Sequence, residues 1–390
     1  MKHAHLIYLA IFCSFCWAAS CKKNTSPANP TDSKKTYTWQ TFCMGADLSY
    51  VNAIENAGGQ YKLNGQVADV FTLLEQHGTN TIRVRLWHNP TWQNGLNGGF
   101  VFNNLADVTK TIQRAKAAGM AVNLDLHYSD TWADPAHQNV PTAWRNLNVS
   151  TLKDSIYNYT LFVLQTLSAK NLTPEMIQIG NETNGGMCWP VGEVQTNGWN
   201  NFAVLLNAGI KAVRDFSVNS TIKPKIILHQ AQIQTASAWV TKIVQAGVTD
   251  FDILGLSHYY KWSTTNSMQA ITDSVAKLKL QTGKQIMVVE TAFPFTNAGA
   301  DNYQNIFYES SGIINGYPVT MDGQFSYYKD LTNAVWKGGG SGVMIWEPAW
   351  ITSSLKDSWG TGSSWENNTF FDYSNNLHKG INFMTATYPY

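Results

Sequence analysis

Two glutamates stand where packing gives them no reason to stand. Glu182 follows the run MIQIG and one asparagine, Asn181, and Glu290 follows QIMVV. A carboxylate at the end of an apolar strand loses hydration, and burial or a like charge nearby lifts its pKa. Two such groups, one holding its proton and one ionised, supply what glycosidic hydrolysis needs: an acid for the leaving oxygen and a carboxylate for the sugar carbon. Other polar residues collect at the ends of apolar runs in the same way. They are Asp47, then Arg83 and Arg85, then Asp125 and His127 followed by Asp130 and Trp132. His258-Tyr259-Tyr260 and Trp346-Glu347, with Trp350 close behind, complete the set. Arg83 and Arg85 share parity and so face one side, where either could pair with a glutamate. Each residue taken singly also has a plain reading, as a solvated strand end, an ion pair or, for Trp132 and Trp350, core packing. Glu347 opposes Trp346 in parity and is read as structural.

Other chemistries fit less well. There is no GxSxG, no phosphate-binding GxxxxGK[ST] and no GxGxxG opening a helix. His127 could share a metal with Asp125 or Asp130, but the strand ends lack the His-x-His that usually opens a barrel metal site.

These residues need strands to position them. β-rich runs occur at Phe42–Leu48, Thr81–Trp87, Ala121–Tyr128, Met176–Glu182, Lys225–Gln230, Ile253–Tyr260, Gln285–Glu290 and Gly342–Ala349. Several are nearly continuous in Val, Ile and Leu, as parallel strands covered on both faces must be. Helical spacing separates them. Val108, Thr111, Ile112 and Ala115 share a face before Gly119, and Met268, Ile271, Val275 and Leu278 do so before Gly283. Strands alternating with helices predict an α/β fold, a single (β/α)8 TIM barrel with extended βα loops over residues 41–390. In that architecture active sites lie at the C-terminal strand ends, where the polar residues gather. The stretch Thr291 to Gly323 is expected to be mostly a long loop.

Composition narrows the partner. Of 390 residues 44% are apolar, so the chain can bury a large core, and five Cys are too few for a disulfide scaffold. The net charge is +1, which leaves no basic footprint for nucleic acid. Aromatic residues make 13% of the chain, with 15 Trp, while charged residues make only 14%; about 25% charged is usual. Aromatic faces suit flat, uncharged, half-apolar partners such as sugar rings, and the plain alternative is a large core.

The N-terminus reads as an address. Residues 1–20 carry an early lysine and an apolar run, Leu6 to Trp17, too short to span a bilayer. Ala18-Ala19-Ser20 before Cys21 resembles a bacterial lipobox, which implies cleavage before Cys21 and a lipid on its thiol. Ordinary signal cleavage nearby is the alternative. Residues 21–40 are polar and read as a flexible tether. The expectation is an exported chain at the bacterial cell envelope, at the outer membrane, touching membrane only through that anchor. Cys13 and Cys16 leave with the signal, and pairing of Cys43 with Cys188 stays open.

The strings GADLSYVNAIENAGGQY (45–61), RVRLWHNP (83–90), LDLHYSDTWADP (124–135), QIGNET (178–183), GLSHYY (255–260), VVETAF (288–293), WEPAW (346–350) and GTGSSWENNTFFD (360–372) resemble glycoside hydrolase family 53, the arabinogalactan endo-β-1,4-galactanases. The similarity runs from about Phe42 to the C-terminus. It implies a retaining enzyme that cuts internal bonds of a neutral galactan, acts as a monomer and needs no cofactor for catalysis. Glu182 would be the acid/base and Glu290 the nucleophile. Asn181 would bind the sugar 2-hydroxyl, Arg85 would hold Glu290 ionised, and His258 or Tyr260 would orient it. Trp346 would stack under the sugar at the cleaved position, Trp132 and Trp350 would be platforms further along, and Asp47, His127 and Asp130 would line the groove. The rival readings are a barrel glycosidase acting on mannan, xylan or cellulose, and a non-catalytic glycan-binding lipoprotein. Some bacterial members bind calcium in the loop after strand 7. Here that loop is TNAGADNYQN (296–305), leaving Asp301 and Asn305, with Glu366, as a partial ligand set for a structural calcium.

Overall fold

The structure is a computed structural model that describes residues 1, 36–308, 314 and 316–388. The proposed signal and Cys21, with most of the tether, lie outside the described residues. The packed fold begins earlier than residue 41. Tyr37 is buried, and its hydroxyl donates to the Ala386 carbonyl at 2.6 Å.

All eight expected strands are present, most of them a little shorter than the expected run. They are β1 Cys43–Asp47, β2 Thr81–Leu86, β3 Ala121–Leu126, β4 Met176–Ile179, β5 Lys225–Ala231, β6 Ile253–Ser257, β7 Gln285–Glu290 and β8 Gly342–Ile345. Every pairing is parallel, and the sheet closes as a barrel with β8 beside β1. The helices are α1 Val51–Asn56, α2 Val70–Gln76, α3 Leu105–Ala117, α4 Val149–Ser168, α5 Val194–Val218, α6 Ile233–Gln245, α7 Met268–Thr282 and α8 Met321–Lys337. Two of them, α1 and α2, sit between β1 and β2. After β8 the described chain has 3-10 turns instead, at Glu366–Asn368 and Lys379–Thr385. The expected alternation therefore holds as a barrel, without a regular eighth βα unit.

Local chemistry explains the helix bounds. Asn104 caps α3 by accepting from the Asp107 amide at 2.9 Å, and Val108, Thr111, Ile112 and Ala115 form its buried face. Ser267 caps α7, and Gly283 ends it in the left-handed region at φ 66°.

The barrel interior is layered by strand parity. Cys43, Met176, Ile227, Ile253, Met287, Val289 and Met344 form a buried apolar plug, while alternate residues pack outward on the helices. Above the plug the same faces turn polar, with Asp47, Arg83, Asp125, Gln178 and His229 all buried. Asp47 lies beside Arg83, and Asp125 lies between Arg85 and Gln178. Cys43 and Cys188 are both free and buried. Among the described residues no helix is long and apolar enough to cross a membrane.

Candidate active site

Both glutamates reach the barrel mouth through a local departure from regular strand. After β4 the backbone turns left-handed at Gly180, φ 79°, and again at Glu182, φ 45°. A Cβ on Gly180 would lie 2.6 Å from Thr183 Cγ2, so glycine is required there. Left-handed backbone at a glutamate costs energy and is held only by its surroundings. On β7 the device is a bulge. Leu256 pairs with Val288 but Ser257 pairs with Glu290, leaving Val289 as the extra residue. Met287 and Val289 face inward, so strict alternation would turn Glu290 outward; the bulge brings it back to the mouth. One carboxylate oxygen of Glu182 and one of Glu290 then lie within 4.8 Å of each other.

Arg83 anchors this centre. Its Nη1 donates to Asp47 at 2.8 Å, and its Nη2 donates to Asp125 and to Asn181 Oδ1, each at 2.7 Å. The same Nη2 forms an ion pair with Glu290 Oε1 at 2.8 Å. The Tyr259 hydroxyl donates to Glu290 Oε2 at 2.9 Å. Burial outweighs the pull of Arg83 and Tyr259, and Glu290 is raised to about 7. Glu182 is lifted well above the carboxylate range, by burial first and then by the charge of Glu290, with no guanidinium bonded to it. Asp125 goes the other way. Burial would raise it, but Arg83 and His127 outweigh burial and hold it below the usual range.

A cleft of about 830 Å³ opens over this centre. Of the expected residues it is lined by Asn181, Glu182, Glu290, His127, Arg85, Trp132, Trp346 and Trp350. His127 Nε2 faces Asp125 at 3.0 Å. Trp350 is 3% exposed and donates from Nε1 to the Gly362 carbonyl, so it is mainly a packed residue with an edge on the cleft. Trp132 and Trp346 are half-buried, with ring centroids 5.8 Å apart.

Several assignments need correction. Arg85 does not hold Glu290. It forms an ion pair with buried Glu347 at 2.8 Å, and its guanidinium lies between the Tyr50 ring at 4.2 Å and the Trp132 ring at 4.1 Å. Arg83, one inward position lower, is the guanidinium that reaches Glu290. Glu347 therefore has the structural place its parity implied, and burial pushes its carboxyl up to about 8. Neither the His258 nor the Tyr260 side chain orients the nucleophile, and His258 contributes only its backbone amide, which donates to the Glu290 carbonyl at 2.8 Å. His258 is fully buried away from the cleft, and Tyr260 packs among Phe293, Phe307 and Tyr327. Tyr259 takes the contact because Ile253, Gly255 and Ser257 face inward, and the next inward position is 259. Asp47 does not line the groove; it lies fully buried below, bonded to Arg83 and Ser49. Asp130 also lies outside the cleft lining. It accepts from the amides of Asn89 at 3.0 Å and Thr142 at 2.8 Å, which ties two loops together.

The loops gather Asp301, Asn305 and Glu366 into one cluster. Asp301 accepts from the amides of Tyr303 and Ser363 and meets the Thr352 hydroxyl. Glu366 Oε1 accepts from the Ala300 amide and from Asn305 Nδ2. Glu366 Oε2 and Asn305 Oδ1 are buried with no hydrogen-bond donor.

Four participants were not singled out from sequence. Gln178, Ser257 and His229 carry inward parity, the one signal that could have found them. Tyr259 was noted only as the middle of a triplet.

Replacing Arg83 with Met would leave Asp47, Asp125 and Glu290 buried without their shared cation. Its expected cost is about 3–5 kcal/mol, read as a lowered urea midpoint. A variant as stable as the parent would mean the carboxylates do not depend on Arg83.

Comparison with known proteins agrees with this geometry. The family model Glycosyl hydrolase family 53 matches residues 43–384. The chain is 39% identical to an arabinogalactan endo-β-1,4-galactanase of Cellvibrio japonicus, over 89% of this chain and 91% of the relative. It is 38% identical to an endo-β-1,4-galactanase of Bacillus subtilis, over 85% of this chain and 77% of the relative. Among solved structures, the Ignisphaera aggregans GH53 catalytic domain superposes with a TM-score of 0.81 at 32% identity, covering 93% of this chain and 99% of that one. With a paired-carboxylate centre at the mouth of a parallel barrel and a family match across nearly all of the packed fold, this chain belongs to glycosyl hydrolase family 53.

Proposed function

We propose that the protein is a retaining endo-β-1,4-galactanase that cuts internal bonds of galactan or type I arabinogalactan. The observation that carries the mechanism is the spacing of Glu182 and Glu290, whose oxygens lie within 4.8 Å. Retaining glycosidases place their carboxyl groups about 5–5.5 Å apart, whereas inverting ones leave about 6.5–9.5 Å for a water. The electrostatics divide the roles. Glu182, raised with no cation bonded to it, keeps a proton for the leaving oxygen. Glu290, held by Arg83 and Tyr259, is the carboxylate that attacks the anomeric carbon. The first step forms a glycosyl ester at Glu290 and releases the leaving sugar with the proton of Glu182. In the second step Glu182 takes a proton from water as that water attacks the anomeric carbon, the bond to Glu290 breaks with release of its carboxylate, and both residues return to their starting state.

Asn181 suits a bond to the sugar 2-hydroxyl. Its Oδ1 is fixed by Arg83 and its Nδ2 donates to the Ala133 carbonyl at 2.7 Å, leaving the second amide hydrogen for substrate. Trp132 and Trp346 offer rings to an uncharged polymer, and Trp262 and Trp359, 44% and 60% exposed, extend that surface along the same cleft. The galactanase relatives favour galactan over mannan, xylan or cellulose as the polymer. The paired carboxylates favour an enzyme over a binding lipoprotein. No calcium enters this mechanism.

The lipid anchor at Cys21 is part of the same proposal and rests on Ala18-Ala19-Ser20-Cys21 alone. It places the enzyme at the bacterial cell envelope. Cys21→Ser is expected to move the protein from the membrane fraction to the soluble fraction; retention in the membrane would reject the anchor.

Glu182→Gln and Glu290→Ala are each expected to lower release of galactooligosaccharides by about 10³-fold or more. Near-parental activity in either would remove that residue's role, and an inverted first product by proton NMR would sink the two-step mechanism. Tyr259→Phe has a signed outcome. It removes a donor to ionised Glu290, so the pKa rises and the acid limb of kcat/KM moves to higher pH. An acid limb that stays put would show that Tyr259 does not tune the nucleophile.

A further inference from the structure

Gln232, the residue after β5, is held in a backbone conformation that its type avoids. Its φ is 69° and its ψ 105°, outside even the small left-handed region that a non-glycine residue tolerates. Hydrogen bonds on both sides fix it there. Its backbone amide donates to the Ser257 carbonyl on β6 at 3.0 Å, and its carbonyl accepts from the Thr235 amide and hydroxyl, each at 3.1 Å. Just before it, the Ala231 amide donates to Asn184 Oδ1 at 2.8 Å, and Asn184 Nδ2 donates to the Ala231 carbonyl at 3.1 Å. None of these bonds uses the Gln232 side chain, so a glycine would take the same path with less strain. The neighbouring glutamines are employed within the fold. Gln230 Nε2 donates to Thr235 Oγ1 at 2.6 Å. Gln234 accepts from the Ser263 hydroxyl at 3.0 Å and donates to the Trp262 carbonyl at 3.4 Å. Gln232 is half-buried and does not cap α6, and its side-chain amide bonds to none of the described residues. It lines the cleft, as does Trp262. A strained backbone that presents an unused amide to a substrate cleft points to a ligand.

We propose that Gln232 binds hydroxyls of the leaving sugar, across the broken bond from Trp346. This rests on the reading of Glu182 and Glu290 as the catalytic pair. Around the barrel the strands run β1, β8, β7, β6, β5, β4, β3, β2. A line from Glu182, after β4, to Glu290, on β7, therefore leaves β8, β1, β2 and β3 on one side and β5 and β6 on the other. The Asn181 amide is held by Arg83 of β2 and by the Ala133 carbonyl after β3, so it meets the 2-hydroxyl of the attacked sugar from the first side. Trp346, after β8, and Trp132, after β3, belong to that side too. A galactan chain that crosses the line carries its leaving sugar over β5 and β6, where Gln232 and Trp262 line the cleft. That sugar is uncharged and rich in hydroxyls. A primary amide has two donors and an acceptor oxygen, so it bonds neighbouring hydroxyls in either sense without placing a charge beside Glu182. The Trp262 ring, 44% exposed, adds an apolar face. The fixed backbone sets the amide in place before the sugar arrives.

The test compares a sugar leaving group with one that has no hydroxyls. Gln232→Ala is expected to lower kcat/KM on galactotetraose about tenfold, but on nitrophenyl β-galactobioside only about twofold or less. Gln232→Gly removes the same amide and relieves the backbone. It is expected to lose as much activity on galactotetraose as the alanine variant while its Tm stays level or rises. Gln232→Asn keeps a shorter amide and a residue type that tolerates positive φ, and is expected to fall between the glycine variant and the parent. Transfer gives a second readout. Added galactobiose that accepts the sugar from Glu290 must sit where the leaving sugar sat, so the ratio of transfer to hydrolysis is expected to fall in the alanine and glycine variants. Equal losses on the two substrates, an unchanged transfer ratio, or parental activity of Gln232→Gly on galactotetraose would each overturn the proposal. A lowered Tm in Gln232→Gly would overturn it as well, since the side chain would then serve the fold. If Glu182→Gln is inactive while the Gln232 variants match the parent, only the role of Gln232 fails. If Glu182→Gln stays fully active, the reading of the catalytic pair itself fails.

Discussion

Arg83 is the one group that the rest of the centre cannot do without. It is a buried cation shared by Asp47, Asp125 and Glu290, with Asn181 on the same guanidinium. Three carboxylates cannot be buried together in ionised form without a partner, because each would shift its pKa and neutralise. A planar guanidinium with five donors meets several acceptors at fixed angles, which a lysine could not. Asp47 and Asp125 hold Arg83 from below, so the side chain arrives at Glu290 already placed. The contact at the nucleophile is thus the visible tip of a buried network.

The asymmetry between the two glutamates follows from that placement. Glu290 is buried and Glu182 half-buried, and loss of hydration raises the pKa of both. Glu290 has a cation and a phenol hydroxyl on its oxygens. Glu182 has no cation on its oxygens and faces the negative neighbour across the gap. One barrel mouth therefore holds an acid and a base of the same residue type within 4.8 Å, separated in role by what lies behind each.

The strand pattern and the two glutamates were legible in the sequence because both depend on local order. Apolar runs mark strands, and a carboxylate at the end of such a run has no packing role. What was not legible depended on register and height. Arg83 and Arg85 are alike in type and parity. Only the closure of the barrel shows that the lower one reaches Glu290, while the upper one serves Glu347 between two aromatic rings. The triplet 258–260 was a different failure. Parity from Ser257 points to Tyr259, so the information was present and was read one residue off. Asp47 and Asp130 look alike as strand-end carboxylates, yet one supports the network from beneath and the other pins loops. Burial depth separates them, and a single sequence does not carry it. The aromatic surplus divides the same way, with Trp350 nearly all core and Trp346 shared between packing and the cleft.

The bulge in β7 has a different kind of consequence. Below it, the strand keeps its pairing with β6 residue for residue; above it, one additional amino acid turns Glu290 toward the mouth. Loss of the Val289 codon would take one residue out of the apolar plug and set the glutamate in its inward place, one residue lower on the strand than the height at which Arg83 and Tyr259 now meet it. Architecture and chemistry can therefore part company here in one genetic step. Lineages built on this barrel have a short path to descendants that keep the fold and the sugar-facing rings but have lost the power to cut.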